Sequence, residues 1–175
     1  MKKISIIGSG GSGKSTLAIE LGRKLDIKVF HLNKIWWKDD KEHIKEEEFI
    51  EIQKDIIKNN DSFIFDGNYR NTLDLRISAS DTIIFLDMPT TFNMSRSLKK
   101  IITTQNLKEE EKKDPDHTDK LNVKYIRRLA NYNREERPEI IKKLKKIKLE
   151  KRVVILDNEK KIELFLESID KYSNH

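Results

Sequence analysis

The stretch "IGSGGSGKST", residues 7–16, decides how this chain folds. Its ten residues include four glycines, three serines and one lysine. Glycine this dense raises the entropy cost of folding, and a simple turn does not need it. Gly8, Gly13, Lys14 and Ser15 fit a spacing of glycine, four residues, glycine, lysine, then serine or threonine. Residues without side chains let successive amide N–H groups converge on the oxygens of a polyphosphate. The positive end of the following helix dipole adds to that field. Gly8, Ser9, Gly10, Gly11, Ser12, Gly13, Lys14, Ser15 and Thr16 are therefore the expected ATP-binding residues. Lys14 supplies a point charge for the β and γ phosphates, and the Ser15 hydroxyl is placed for magnesium.

The flanks support this reading. "KKISIIG" is a short β-branched run that stops at glycine, as a buried strand does. After the loop, Leu17, Leu21 and Leu25 recur at helical spacing with Ala18 beside them. Further apolar runs read as strands: "IKVFHL", "SFIFDG" ending at Asp66, "DTIIFLDMP", and "RVVILD". Helical patterns separate them at "EEEFIEIQKDIIKNN", "SRSLKKIITT", "VKYIRRLANYNREE", "EIIKKLKKIKLEK" and "KKIELFLESIDKY". In the fourth of these, Ile140, Ile141, Leu144, Ile147 and Leu149 are expected to be core contacts. Short strands alternating with helices predict an α/β fold in three layers, with a parallel sheet covered on both faces.

A chain of 175 residues fits a single domain, expected here over 1–175. Charged residues make up 38% of it, so the surface must be strongly ionic. The net charge of +6 is concentrated. Residues 99–152 hold 18 basic and 10 acidic side chains, which suits a polyanion, either nucleic acid or small phosphates. There is no cysteine, so thiol chemistry and zinc–thiolate sites are excluded, and a cytoplasmic protein is expected. The apolar run after the first lysines ends at Gly8, too short for a signal peptide. No segment reaches membrane-spanning length. His31, His43, His117 and His175 are scattered, without the spacing of a metal site.

Two further blocks resemble known kinases. In "FIFDGNYRNTLDLR", Asp66, Gly67 and Arg70 match the adenylate kinase pattern of a strand running into aspartate, glycine, aromatic, proline and arginine. Asn68 and Tyr69 depart from that pattern. "IIFLDMPTTFNMSR" and "RRLANY" place Arg96 and Arg128 where those kinases have phosphate-binding arginines. Together with "HLNKIWW", these blocks look like the topology modulation proteins, adenylate-kinase-like members of the phosphate-loop class. The resemblance is dense in the first half of the chain and loose in the second. It implies a five-stranded sheet of order 2-3-1-4-5, an acceptor-side insertion at about 34–60 and a lid at about 101–122. The family has an aspartate where this chain has Asn33, and asparagine cannot act as a base.

The resemblance also implies roles. Lys14, Arg96 and Arg128 are the candidate catalytic cations, with Arg127, Arg134 and Arg137 as rivals to Arg128. Ser15 and Asp66 are the candidate magnesium residues, Asp66 through water; a turn cap is the other reading of Asp66. Asn33, Trp36, Trp37 and Arg70 fall on the acceptor side. Either tryptophan could stack on a base or plug the core, and Arg70 could grip a phosphate or pair with an acid. The expectation is an ATP-dependent kinase, with Mg2+, acting on a small molecule such as a nucleotide or nucleoside. A nucleic-acid-associated NTP binder and a degenerate nucleotide binder remain as alternatives.

Overall fold

The computed structural model describes residues 1–38, 42–105 and 123–173. Five strands form one sheet: β1 (Lys3–Gly8), β2 (Val29–His31), β3 (Phe63–Asp66), β4 (Thr82–Leu86) and β5 (Arg152–Leu156). All neighbours are parallel, and the order is β2-β3-β1-β4-β5, as the resemblance implied. The central strands are buried along almost their whole length because helices cover both faces.

Side chains alternate between the two layers. Ile4, Ile6, Ile64, Ile84, Leu86 and Leu156 pack with α1 (Lys14–Leu25) and α8 (Glu159–Ser173). Ile7, Ile83 and Phe85 point the other way. They meet α4 (Leu73–Ala79), α6 (Val123–Glu135) and α7 (Arg137–Ile147). Ser5 also faces this second layer, where its hydroxyl pairs with that of Ser80 at 2.8 Å, leaving neither unsatisfied. A third cluster joins Phe63 and Phe65 to Leu32 of α2 (Leu32–Trp36) and Phe49 of α3 (Glu46–Asn59). Three glutamates fill the first turn of α3, where the helix dipole favours them.

Several local readings need correction. The run "HLNKIWW" leaves the sheet after His31 and forms α2. A single 3-10 turn (Arg70–Thr72) and α4 were not anticipated, since a seven-residue helix is too short to show a period. α5 (Thr90–Gln105) starts directly after Pro89 rather than at Ser95. α7 stops at Ile147, where the amides of Glu150 and Lys151 both turn back to the Ile147 carbonyl at 2.9 Å. That turn swings Leu149 into solvent, 91% exposed, so it is not the core contact its spacing suggested. The lid expected at 101–122 falls on the end of α5 and otherwise lies outside the described residues.

Candidate functional site

The parallel sheet places the carboxyl ends of β1, β3 and β4 side by side, the edge where such sheets open a crevice. Between Gly8 at the end of β1 and Lys14 at the start of α1, the chain makes the glycine loop. Gly13 caps α1 in the left-handed region at φ 93°, and Gly11 lies at φ 74°. Side chains rarely adopt such values. The first turn of α1 closes with the Leu17 amide donating to the Gly13 carbonyl at 3.0 Å. Helix geometry leaves the amides before it without partners in the helix. Inside the loop the Ser12 amide donates to the Ser9 carbonyl at 3.3 Å, and Lys14 Nζ donates to the same oxygen at 2.7 Å. The amides of Gly11, Gly13, Ser15 and Thr16 serve in neither bond. The Ser9 and Ser12 hydroxyls are buried and have no hydrogen-bond partner among the described residues. Buried polar atoms left unpaired in a folded chain are rare and call for a partner such as water or a ligand.

Asp66 ends β3 and lies opposite Ile6 on one side and His31 on the other. His31 Nδ1 sits 2.8 Å from its Oδ2, and the Ser15 hydroxyl lies near it. Burial pushes the Asp66 carboxyl up. The His31 hydrogen bond, the Lys14 charge and the Ser15 hydroxyl together outweigh that and hold it below the ordinary value of 3.8. Lys14, Ser15 and Asp66 are thus brought together, with His31 as an orienting partner the sequence did not reveal. Among the described residues no group of three or more His, Asp or Glu could hold a metal. A hydroxyl with a nearby ionised carboxylate nevertheless suits Mg2+, which binds few protein oxygens and keeps water and phosphate as its other ligands.

Arg96 projects from α5 to the loop. Its Nη1 lies 3.6 Å from the point a Cβ on Gly13 would occupy, and its guanidinium rides over Phe92 at 5.4 Å. Glu159 stands 3.8 Å from the same nitrogen. Arg128 lies elsewhere in its hydrogen bonding. Its Nε donates to Glu136 Oε1 at 2.7 Å and its Nη2 to Oε2 at 3.3 Å. That hydrogen bond, more than burial opposes it, raises the Arg128 guanidinium above its ordinary value. Its rival Arg137 makes a two-pronged pair with Asp87 at 2.6 and 2.7 Å, just past β4. Tyr125 and Leu129 of α6 lie against Gly10, and Tyr125 reaches the Ser97 hydroxyl at 3.2 Å.

The acceptor-side residues form a wall. The Tyr69 hydroxyl donates to Asn33 Oδ1 at 2.7 Å. Trp36 stacks on His43 at 4.4 Å and meets Phe49 at 5.0 Å and Tyr69 at 5.7 Å. Trp37 touches His43 edge-on at 5.7 Å. Trp36 is therefore a half-buried member of the third core cluster. Arg70 pairs with Glu139 at the surface. Asn68 donates to the buried Glu136 at 2.9 Å, tying this wall to α6 and α7. Asp87 and Tyr125 carry no local sequence signal, because they meet Arg137 and Ser97 only through the tertiary fold. Glu136 pairs with Arg128 along the same run but takes Asn68 from across the site. Among the described residues no helix is long and apolar enough to cross a membrane.

No family model matches the chain, and no curated protein does. Solved structures do. The deoxyadenosine kinase of M. mycoides, with products dCMP and a flexible dCDP bound, aligns at a TM-score of 0.47 and 19% identity over 96% of this chain and 98% of that one. The shikimate kinase of Aquifex aeolicus aligns at a TM-score of 0.55 and 18% identity over 98% of both chains. With its strand order and its glycine loop, the chain has the fold of the P-loop kinases.

Proposed function

We propose that the chain transfers the γ-phosphoryl group of ATP to a small molecule such as a nucleotide or nucleoside. The observation that carries this is the loop of residues 8–16. Its glycines, its two buried serine hydroxyls and the start of α1 stand beside Lys14, Ser15 and the ionised Asp66. Phosphoryl transfer needs positioning and charge neutralisation more than covalent chemistry. Lys14 exchanges the Ser9 carbonyl for the β and γ phosphates, and Arg96 brings a second cation beside Gly13. Arg128 is the third, once it leaves Glu136. Ser15, and Asp66 through water, would hold Mg2+, which would supply charge neutralisation for the transferring phosphate. Asn33, Trp36, Trp37 and Arg70 would line the acceptor side. No base stands at position 33, and an acceptor that is already a phosphate needs none. A single domain with its lid at about 101–122, a cytoplasmic setting and the kinship with topology modulation proteins belong to this same proposal.

The test is a screen of nucleosides, nucleoside monophosphates and small alcohols with ATP and Mg2+, following ADP. Stoichiometric ADP release with one acceptor supports the reading; release that persists in Lys14→Ala contradicts it.

A second reading has its own observation. A cavity of about 560 Å3 on α7 is lined by Arg137, Pro138, Ile141, Lys142, Lys145 and Lys146, a basic surface suited to nucleic acid. Duplex DNA affinity that falls steeply with salt would favour it; no affinity at low salt removes it.

A further inference from the structure

Arg76 has no place in the chemistry above, yet it is fully buried, with 0% of its surface exposed. It projects from α4, a helix too short to be read in the sequence. Its Nη1 donates to the Gly67 carbonyl at 2.8 Å and its Nη2 to the Tyr69 carbonyl at 2.7 Å. The Nε has no partner among the described residues. Burial pushes the guanidinium down to about 10, opposed at neutral pH by the Asp66 carboxylate, so it stays cationic. A buried charge held mainly by main-chain carbonyls is an expensive way to fill space, and an apolar side chain of similar volume is often at least as stabilising. The two gripped carbonyls enclose Asn68. Directly before them is Asp66; the Asn68 side chain between them reaches Glu136, and that of Tyr69 itself reaches Asn33. The Gly67 amide is pinned from the other side, donating to the Ile6 carbonyl of β1 at 3.3 Å.

We propose that Arg76 is a positioning residue, whose planar fork fixes the Asp66–Arg70 loop between the phosphate loop and the acceptor wall. The proposal rests on the phosphotransfer reading for its kinetic consequence, but not for its structural one. A fork with two donors in one plane can hold carbonyls two residues apart, and a lysine ammonium cannot reproduce that geometry.

The test compares the full chain with Arg76→Met and Arg76→Lys. Without ligand, amide hydrogen exchange over residues 66–72 should speed up about tenfold or more, with β1 and α1 unchanged. Kinetically, KM should rise about tenfold for whichever nucleoside or nucleoside monophosphate the wild type phosphorylates, while the Kd of Mg-free ADP stays within about twofold. Arg76→Lys should fall between the wild type and Arg76→Met; it also carries the test if Arg76→Met does not fold. Faster exchange through the whole sheet, with ADP affinity and acceptor KM failing together, would mean a general structural role and overturn the proposal. Wild-type exchange and KM in both variants would overturn it as well. If the wild type neither binds ADP nor turns over ATP, the phosphotransfer reading falls, while the exchange pattern still decides what Arg76 holds.

Discussion

Lys14 is the residue on which the chemistry turns. Its ammonium lies folded onto the Ser9 carbonyl, within the loop it would close around a phosphate. In Lys14→Ala the amides remain but the mobile cation is gone. ADP-forming turnover should then fall by about 10²–10³, by analogy with removing one charge-stabilising donor from an active site. Steady-state ADP release checks this, and turnover within a few-fold of wild type would refute the assignment. Asp66 shows why the site is only partly legible from sequence. A strand ending in aspartate before glycine pointed to it, and the register of β3 beside β1 placed it at the loop. His31 could not be read the same way, because its contact with Asp66 spans 35 residues and exists only once β2 pairs with β3. The arginines were harder still. Arg70, Arg128 and Arg137 each meet an acid, and two of those three partners are distant in sequence.

At the scale of elements, the glycine loop and the helices behind it act as one packed unit. A Cβ on Gly11 would stand 2.2 Å from the Asn93 carbonyl oxygen and 2.5 Å from the Ser97 hydroxyl of α5. The positive φ there adds about 1–2 kcal/mol for any other residue. Gly11→Ala should therefore lower Tm by several degrees and weaken ADP binding together, since α5 cannot yield without moving Arg96. Thermal melts with and without ADP measure both; an unchanged Tm would show that the loop does not pack as described. The long elements were legible because their periods were long enough to count. The apolar runs of β1 and β4 and the leucine stripe of α1 supply the first two core clusters, and the run of β3 adds Phe63 and Phe65 to the third. α2 and α4 were not, at five and seven residues, and they carry Asn33, Trp36 and Arg76.

For the whole molecule, the sheet is closed at its amino end by Asp81. Its carboxylate accepts from the amides of Lys2 and Lys3 at 2.8 and 2.9 Å and from the Thr82 hydroxyl at 2.6 Å. Burial raises its pKa, but these three hydrogen bonds together bring it below 3.8. Asp66 is lowered in the same direction. A carboxylate whose folded value is depressed contributes stability that is complete above its unfolded value. That stability disappears as pH falls through the folded value. The contribution of both groups should thus hold down to about pH 4 and be lost below it. Asp81→Asn should cost about 1 kcal/mol at neutral pH, with the gap from wild type shrinking below pH 4. Denaturant titrations across that range check the sign, and a gap that widens in acid would contradict it. Strand order was accessible only through the resemblance to adenylate-kinase-like proteins, since no pattern within a strand says which neighbour it pairs with.

The most direct measurement is calorimetric titration of the wild-type chain with ATP, with and without Mg2+. Amides left open at the amino end of α1 predict saturable binding of one nucleotide per chain, tighter when the metal is present. A chain that takes up no ATP at millimolar concentration, with the metal present, would contradict the account at its centre.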